Sequence, residues 1–256
     1  MDVLPAAVPV PPGVDEGLLA LHPDLWCGHQ FGRHAQQSLS SGFALLDAQL
    51  PGGGWPRRSL TELLLPHPGV GEIRLLSHCL AATQRSGQPV MLFDPPAALS
   101  GWALAQLGLD VKQLLIIVTC APREHNEANL DARLWALEQA LESGHVGAVL
   151  AWLPPRLRTE RLRRLQLAAH AHDGVAFVLR EMAASQRPSA APLRLALRSG
   201  GADVLAVRLL KRRGPPLEAQ LQLALSPVLS RSARQRARSG LAQAPILRPA
   251  TFVSLV

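Results

Sequence analysis

Residues 66–73 read Pro-His-Pro-Gly-Val-Gly-Glu-Ile, where the apolar run Leu60–Leu65 gives way through a Pro/Gly turn to a helical pattern. Strand, turn and helix start is the layout of a phosphate-binding loop. In the working form of that loop, a glycine, four arbitrary residues, a second glycine, a lysine and a serine or threonine follow in order. Backbone N–H groups cradle the phosphates, the lysine neutralises them and the hydroxyl holds Mg²⁺. Here Pro66 stands at the first glycine, Gly69 lies inside the turn, Gly71 keeps the second glycine, Glu72 replaces the lysine and Ile73 the hydroxyl. A carboxylate beside a triphosphate in a poorly screened site repels it. No nearby lysine can substitute, because the chain's lysines are Lys112 and Lys211. His67 sits in the turn and is able to meet an anion, whereas His78, His170 and His172 lack metal-like partners, so no metal site is expected.

The elements that must position this turn follow from hydrophobic patterning. Ser40–Leu50 carries a cap signal and a brief helical pattern, and Gly52-Gly53-Gly54 then marks a turn with unusual backbone angles before a strand over Ser59–Leu65. Helices are expected over Gly71–Ser86, Ser100–Leu107, Glu124–Ser143 and Arg156–His172, and buried strands over Val90–Asp94, Leu114–Val118, Val146–Trp152 and Val175–Leu179. Four βα units in a row with continuous apolar strands predict a parallel sheet covered by helices on both faces. From Leu193 the period changes to two: Leu193–Arg198, Val204–Leu210 and Leu217–Leu225 read as an antiparallel addition at the C-terminal edge. Gln220–Leu225 also resembles the short peptide with which replication proteins bind a sliding clamp, but its alternation is that of a strand.

At 256 residues the chain accommodates one sizeable α/β domain with appendages, and 48% apolar residues supply a large core. The formal charge of +7 is carried almost wholly by arginine, which suits planar recognition of phosphate or carboxylate, or else reflects a GC-rich genome. Cys27, Cys79 and Cys120 are far apart and odd in number, as expected for core residues in a reducing cytoplasm. Met1–Val14 lacks a positive region and is broken by prolines, so it does not read as a secretory signal, and no apolar run has the length of a membrane span. These features predict a soluble, cytoplasmic protein with no membrane partner. Three regions are expected: a flexible segment 1–37 holding a short docking helix near Asp15–Trp26, a core over 38–225, and an arginine-rich, disordered tail over 226–256.

Ser41-Gly42 to Asp47, Gly53-Gly54-Trp55-Pro56-Arg57, the degenerate loop, the four βα units and the β-rich edge together resemble the RecA-like fold. Within it, Leu50–Pro56, Leu60–Leu64, Gly71-Glu72 and Leu209–Gly214 look most like the ImuA family, also described as SulA-like. The resemblance spans about Ser38–Leu225 and implies an α/β, RecA-like core with a mostly parallel sheet. An active core of that kind keeps a glutamate two residues after the aspartate ending its third-strand turn, where this chain has Pro96 after Asp94. It also ends the next strand with a Mg²⁺-organising aspartate, where this chain has Trp152. With Glu72 and Ile73, these departures imply a pseudo-ATPase with no cofactor.

The role implied by the resemblance is that of an accessory protein in SOS-induced mutagenic translesion DNA synthesis. Its partners would be an ImuB-type Y-family-like protein, RecA and an error-prone replicative polymerase, and it would be nucleoid-associated when engaged. Self-association through head-to-tail contacts is a related expectation. Trp26 lies where RecA-like proteins carry a helix that docks on a neighbour, and Lys211 and Arg213 fall where RecA proteins reach a neighbour's nucleotide. In this chain these two residues either touch a partner or are solvated strand-end charges. DNA contact without base readout is a further candidate for Arg156, Arg158, Arg161, Arg163 and Arg164, and for Arg231, Arg234, Arg236 and Arg238 in the tail. A solvated helix face is the alternative for the first group, and Phe252 gives the tail an apolar end for anchoring a partner. The alternative functions are a SulA-like cell-division inhibitor, suggested by Val149–Leu153, and an unorthodox ATPase.

Overall fold

A computed structural model describes residues 38–119, 127–213, 220–229, 232 and 235, with the side chains of 127–129 left aside. Trp26, Cys27, Cys120, Arg231, Arg234, Arg236, Arg238 and Phe252 lie outside the described residues, as do the docking helix and most of the tail. The elements in chain order are β1 (Ser38–Leu39), α1 (Ala44–Asp47), β2 (Trp55–Pro56), β3 (Leu60–Leu65), α2 (Glu72–Arg85), β4 (Val90–Phe93) and α3 (Gly101–Gln106). They continue with β5 (Leu114–Ile117), α4 (Glu127–Glu142), β6 (Ala148–Trp152), α5 (Thr159–Ala171), β7 (Val175–Glu181), β8 (Leu193–Gly201), β9 (Val204–Lys211) and β10 (Gln220–Ala224). A 3₁₀ turn, Met182–Gln186, follows β7.

The main sheet has eight strands in the order β10-β9-β8-β3-β7-β6-β4-β5. All neighbours from β8 to β5 run parallel, with β3 central, and the antiparallel pairs are β8–β9 and β9–β10. This is the mostly parallel α/β architecture expected, with one correction. Leu193–Arg198 was grouped with the antiparallel addition, yet β8 pairs parallel with β3, because alternation reports one uncovered face and is silent on strand direction.

Period-two alternation divides the core between the two faces. One face packs Leu46 of α1, Leu75, Leu76, Cys79 and Leu80 of α2 and Leu104 beyond them onto Leu63, Leu65, Leu150, Phe177, Leu195 and Val207. The other packs Leu134, Leu137 and Leu141 of α4 and Leu162, Leu165 and Ala168 of α5 onto Leu60, Phe93, Val149, Ala151 and Val178. No described residue of β8–β10 belongs to this second core, so α4 and α5 do not cover those strands on that side. Trp55 is fully buried beneath the sheet and meets Phe177 edge to face, with ring centroids 5.3 Å apart. The triple glycine serves this placement: a Cβ on Gly54 would stand 2.4 Å from the Leu39 carbonyl oxygen.

Two sequence expectations need correction here. Leu114–Val118 was read as a buried strand, but β5 is the sheet's edge, with Ile116 49% and Val118 67% exposed. A continuous apolar run cannot by itself separate a central strand from an edge awaiting a cover. The helix placed at Arg156–His172 begins at Thr159, so Arg156 and Arg158 precede it on exposed backbone. Cys79 is buried as expected, and burial pushes its thiol up to about 12. No helix among the described residues is long and apolar enough to cross a membrane, and no described group of His, Cys, Asp and Glu has a metal-holding arrangement.

Three charges lie inside the sheet. Glu62 of β3 is fully buried and accepts from Arg180 Nη1 of β7 and Arg194 Nε of β8, each at 2.6 Å. The remaining guanidinium donors reach the carbonyls of Pro154, Pro155 and Ala184 at 3.2, 2.7 and 3.0 Å. Removing one partner of such a group strands the others without solvent. Glu62→Ala is therefore expected to destabilise the fold by about 3–5 kcal/mol in urea melts, because two buried guanidinium groups lose their counter-charge.

His172 is 1% exposed, and its ring nitrogens make no well-aligned hydrogen bond among the described residues, though the backbone of Leu141 and Val175 lies near enough to favour the charged ring. Burial holds its pKa below the usual imidazole value, against the opposing pull of Asp173. The unfolded chain therefore takes up a proton more readily than the folded one below about pH 6.5, and stability falls as pH drops through that window. Urea midpoints measured between pH 7.5 and 5.5 are expected to fall more steeply for the native chain than for His172→Leu.

Candidate functional site

The C-terminal ends of β3, β4, β6 and β7 open into a cavity of about 240 Å³ lined by His67, Pro68, Asp94, Pro96, Arg133, Trp152 and Arg180, among others. Ligand crevices of open α/β sheets lie at this end. Folding thus gathers the degenerate turn, Pro96 and Trp152 around one cavity, although they are far apart in sequence. Trp152 is 8% exposed and packs into the first core, so the last strand position holds an indole buried among leucines.

The turn after β3 is built to receive an anion, and it already holds one. Gly69 and Gly71 adopt φ values of 85° and 121°, which turn their N–H groups inward at the start of α2. Gly69 N–H donates to Glu72 Oε1 at 2.8 Å, and Gly71 N–H to Glu72 Oε2 at 3.1 Å. The Glu72 carboxylate, on a residue 3% exposed, thereby occupies the nest and complements the positive end of the α2 dipole. The expectation from sequence is that Glu72 repels phosphate; in the fold its carboxylate accepts from both N–H groups of the turn. Ile73 packs against the first core instead of facing the turn, and Pro66 is exposed.

Close packing fixes the turn from the far side. A Cβ on Gly71 would lie 2.7 Å from Leu225 Cδ1, a side-chain end that can yield, so the φ of 121° is what calls for glycine there. Arg74, one helical step on, donates to Asp203 Oδ1 at 2.7 Å and to the carbonyls of Ser226 and Leu225 at 3.0 and 3.2 Å. The start of α2 is consequently locked onto the β9–β10 end of the sheet.

Across the cavity, Asp94 sits at φ 52° and is equally committed. Its Oδ2 accepts from Arg133 Nε at 2.7 Å and from Thr119 Oγ1 at 2.8 Å, and its Oδ1 from Thr119 N–H at 2.7 Å. Arg133 and Arg180 were not singled out from sequence. Their signal was available: charged residues at core-facing positions of a helix and a strand must find partners when buried.

The arginines proposed for DNA contact divide on inspection. Arg161 pairs with Asp131 at 2.6 Å and Arg164 with Glu138 at 2.6 Å, tying α5 to α4. Arg156, Arg158 and Arg163 are exposed. The five therefore do not form one basic helix face. Lys211 and Arg213 leave β9 at the end of the sheet remote from the degenerate turn, since Lys211 lies opposite Arg194 in a strand running against β8. Lys211 Nζ is held by the Ser189 carbonyl at 3.0 Å, and Arg213 is exposed.

No protein-family model matches the chain. Among curated proteins it is similar to RecA of Chlorobaculum parvum, 26% identical over 159 residues covering 57% of this chain and 46% of that protein. It is 29% identical over 146 residues to RecA of Rhodopseudomonas palustris, covering 50% of this chain and 40% of the other, and 36% identical over 80 residues to RecA of Trichodesmium erythraeum, covering 31% and 22%. The chain thus spans less than half the length of these relatives. The mostly parallel sheet with helices on both faces, together with this similarity, makes the chain a RecA-like α/β protein.

Proposed function

We propose that the chain is a non-catalytic, ImuA-type accessory protein of SOS-induced mutagenic translesion DNA synthesis. It works in the cytoplasm and at the nucleoid, with an ImuB-type Y-family-like protein, RecA and an error-prone replicative polymerase. The observation that carries the non-catalytic part is the occupied nest: both N–H groups that would meet a phosphate are bonded to Glu72. A nucleoside triphosphate does not fit these residues, because it would have to displace a buried carboxylate with no lysine to replace its charge. Pro96 and Trp152 stand at the other catalytic positions, so neither supplies the carboxylate that would orient water or organise Mg²⁺ there.

The protein-association part is supported by β5. This edge strand and the residue after it expose Leu115, Ile116, Ile117 and Val118 to solvent, and Trp102 of α3 is 65% exposed. Unpaired backbone groups along an apolar edge invite a partner strand. RecA or a second copy of this chain is the proposed occupant, while the tail from residue 226 onward is assigned to the ImuB-type partner.

Purified full-length protein is expected to show no ATP hydrolysis above buffer background. Glu72→Ala frees the two N–H donors and is expected to raise affinity for a fluorescent ATP analogue by about tenfold, corresponding to about 1.4 kcal/mol, without restoring turnover. Wild-type turnover abolished by changes at Gly69 or Glu72 would sink the non-catalytic reading.

A pulldown against RecA and the ImuB-type protein compares the full chain with one ending at Ser226. Truncation is expected to abolish capture of the ImuB-type protein and to leave RecA capture intact. Loss of both complexes at both lengths excludes the scaffold role, and division arrest on overexpression would then favour the inhibitor reading.

A further inference from the structure

The second face of β8–β10, uncovered by α4 or α5, carries a groove of about 760 Å³. Its floor is Ala196 and Ala206, both nearly buried, and its walls include Arg198, Arg208, Gln220 and the 3₁₀ turn at Ser185-Gln186. Among the described residues no carboxylate lines it. Arg198 lies opposite Ala206 and Arg208 opposite Ala196, which places the two arginines on one diagonal, roughly 7–8 Å apart at their Cβ atoms. Both are exposed, and neither has a hydrogen bond or ion pair among the described residues. Arg194 adds to the positive field from below. It shares the single charge of Glu62 with Arg180, so the buried group beneath the groove keeps one positive charge in excess.

We infer that this groove binds the phosphate backbone of a single nucleic-acid strand. Two free guanidinium forks on small-residue flooring suit bidentate contact with phosphate oxygens, and the Ser185 hydroxyl and the Gln186 and Gln220 amides add neutral donors. No aromatic side chain among the described residues lines the groove, so bases have nothing there to stack on and recognition is independent of sequence. The inference rests on the DNA-associated reading above in naming nucleic acid as the polyanion. It differs from the sequence expectation in location, since it moves the contact from the α5 arginines, two of which are spent on carboxylates, to the bare end of the sheet.

The test is fluorescence anisotropy of labelled oligo(dT) and mixed-sequence single strands with the full-length protein, across a range of salt concentrations. Arg198→Gln/Arg208→Gln is compared with Arg158→Gln/Arg163→Gln, and thermal melts confirm that both variants fold. The groove variant is expected to bind about tenfold more weakly at low salt, and its log–log salt slope to shrink by about 1.4, for two lost phosphate contacts on a single strand. The helix variant is expected to match wild type. Equal binding by the groove variant and wild type overturns the assignment, as does displacement of the strand by polyglutamate of equal length and charge, which would make the groove a seat for acidic protein. Pulldown of the protein partners with the groove variant separates the two levels: captured partners with lost DNA binding support the groove within the scaffold role, whereas failure of capture by wild type tells against that role alone.

Discussion

Glu62 is the interaction on which the middle of the structure depends. It sits on the central strand with no exposure, and its two oxygens hold arginines from the strands on either side. Register places Glu62 directly opposite Arg194 and two residues from the partner of Arg180. A one-residue slip of β7 or β8 would turn one guanidinium to the other face and leave a bare buried charge, at a cost no leucine could offset. The triad thereby selects one register for three parallel strands whose apolar residues alone would tolerate several. Its remaining donors bind loop carbonyls after β6 and β7, so it also fixes the chain at the cavity mouth.

Charges just beyond the C-terminal end of β3 follow a similar logic with a different result. The turn after β3 presents inward N–H groups at a helix start, a place where free energy favours an anion. Glu72 supplies that anion from within the chain, and Asp94 across the cavity is bound by Arg133 and Thr119. Glu72 and Asp94 are thus committed within the chain, whereas Glu181, exposed at the end of β7, lines the same cavity.

Coverage of the two faces is unequal among the described residues. Three helices cover one face as far as β10, while two cover the other and stop short of β8. The end that those two helices leave uncovered carries the exposed Arg198 and Arg208 over nearly buried alanines, with Leu210 at its margin. The β5 edge carries Leu115, Ile116 and Ile117, which water does not accommodate well. One uncovered region is therefore suited to a charged ligand and the other to an apolar strand.

Local rules made much of this chain legible in its residues. Apolar runs of strand length alternating with helical periods determined the α/β class and the element order, because burial on two faces demands those patterns wherever the elements end up. The exchange of lysine and hydroxyl for Glu72 and Ile73 was equally visible, since a phosphate-binding loop is a contiguous motif. Tertiary structure alone decided the rest. It decided that β8 is parallel, that Leu114–Ile117 lies at an edge, that Glu72 turns back into its own nest, and that Arg161 and Arg164 are spent on α4 while Arg198 and Arg208 are free. Each of these depends on which distant residue comes to lie beside it. A residue's type states what partner it needs when buried; only the packed chain determines whether that partner comes from within.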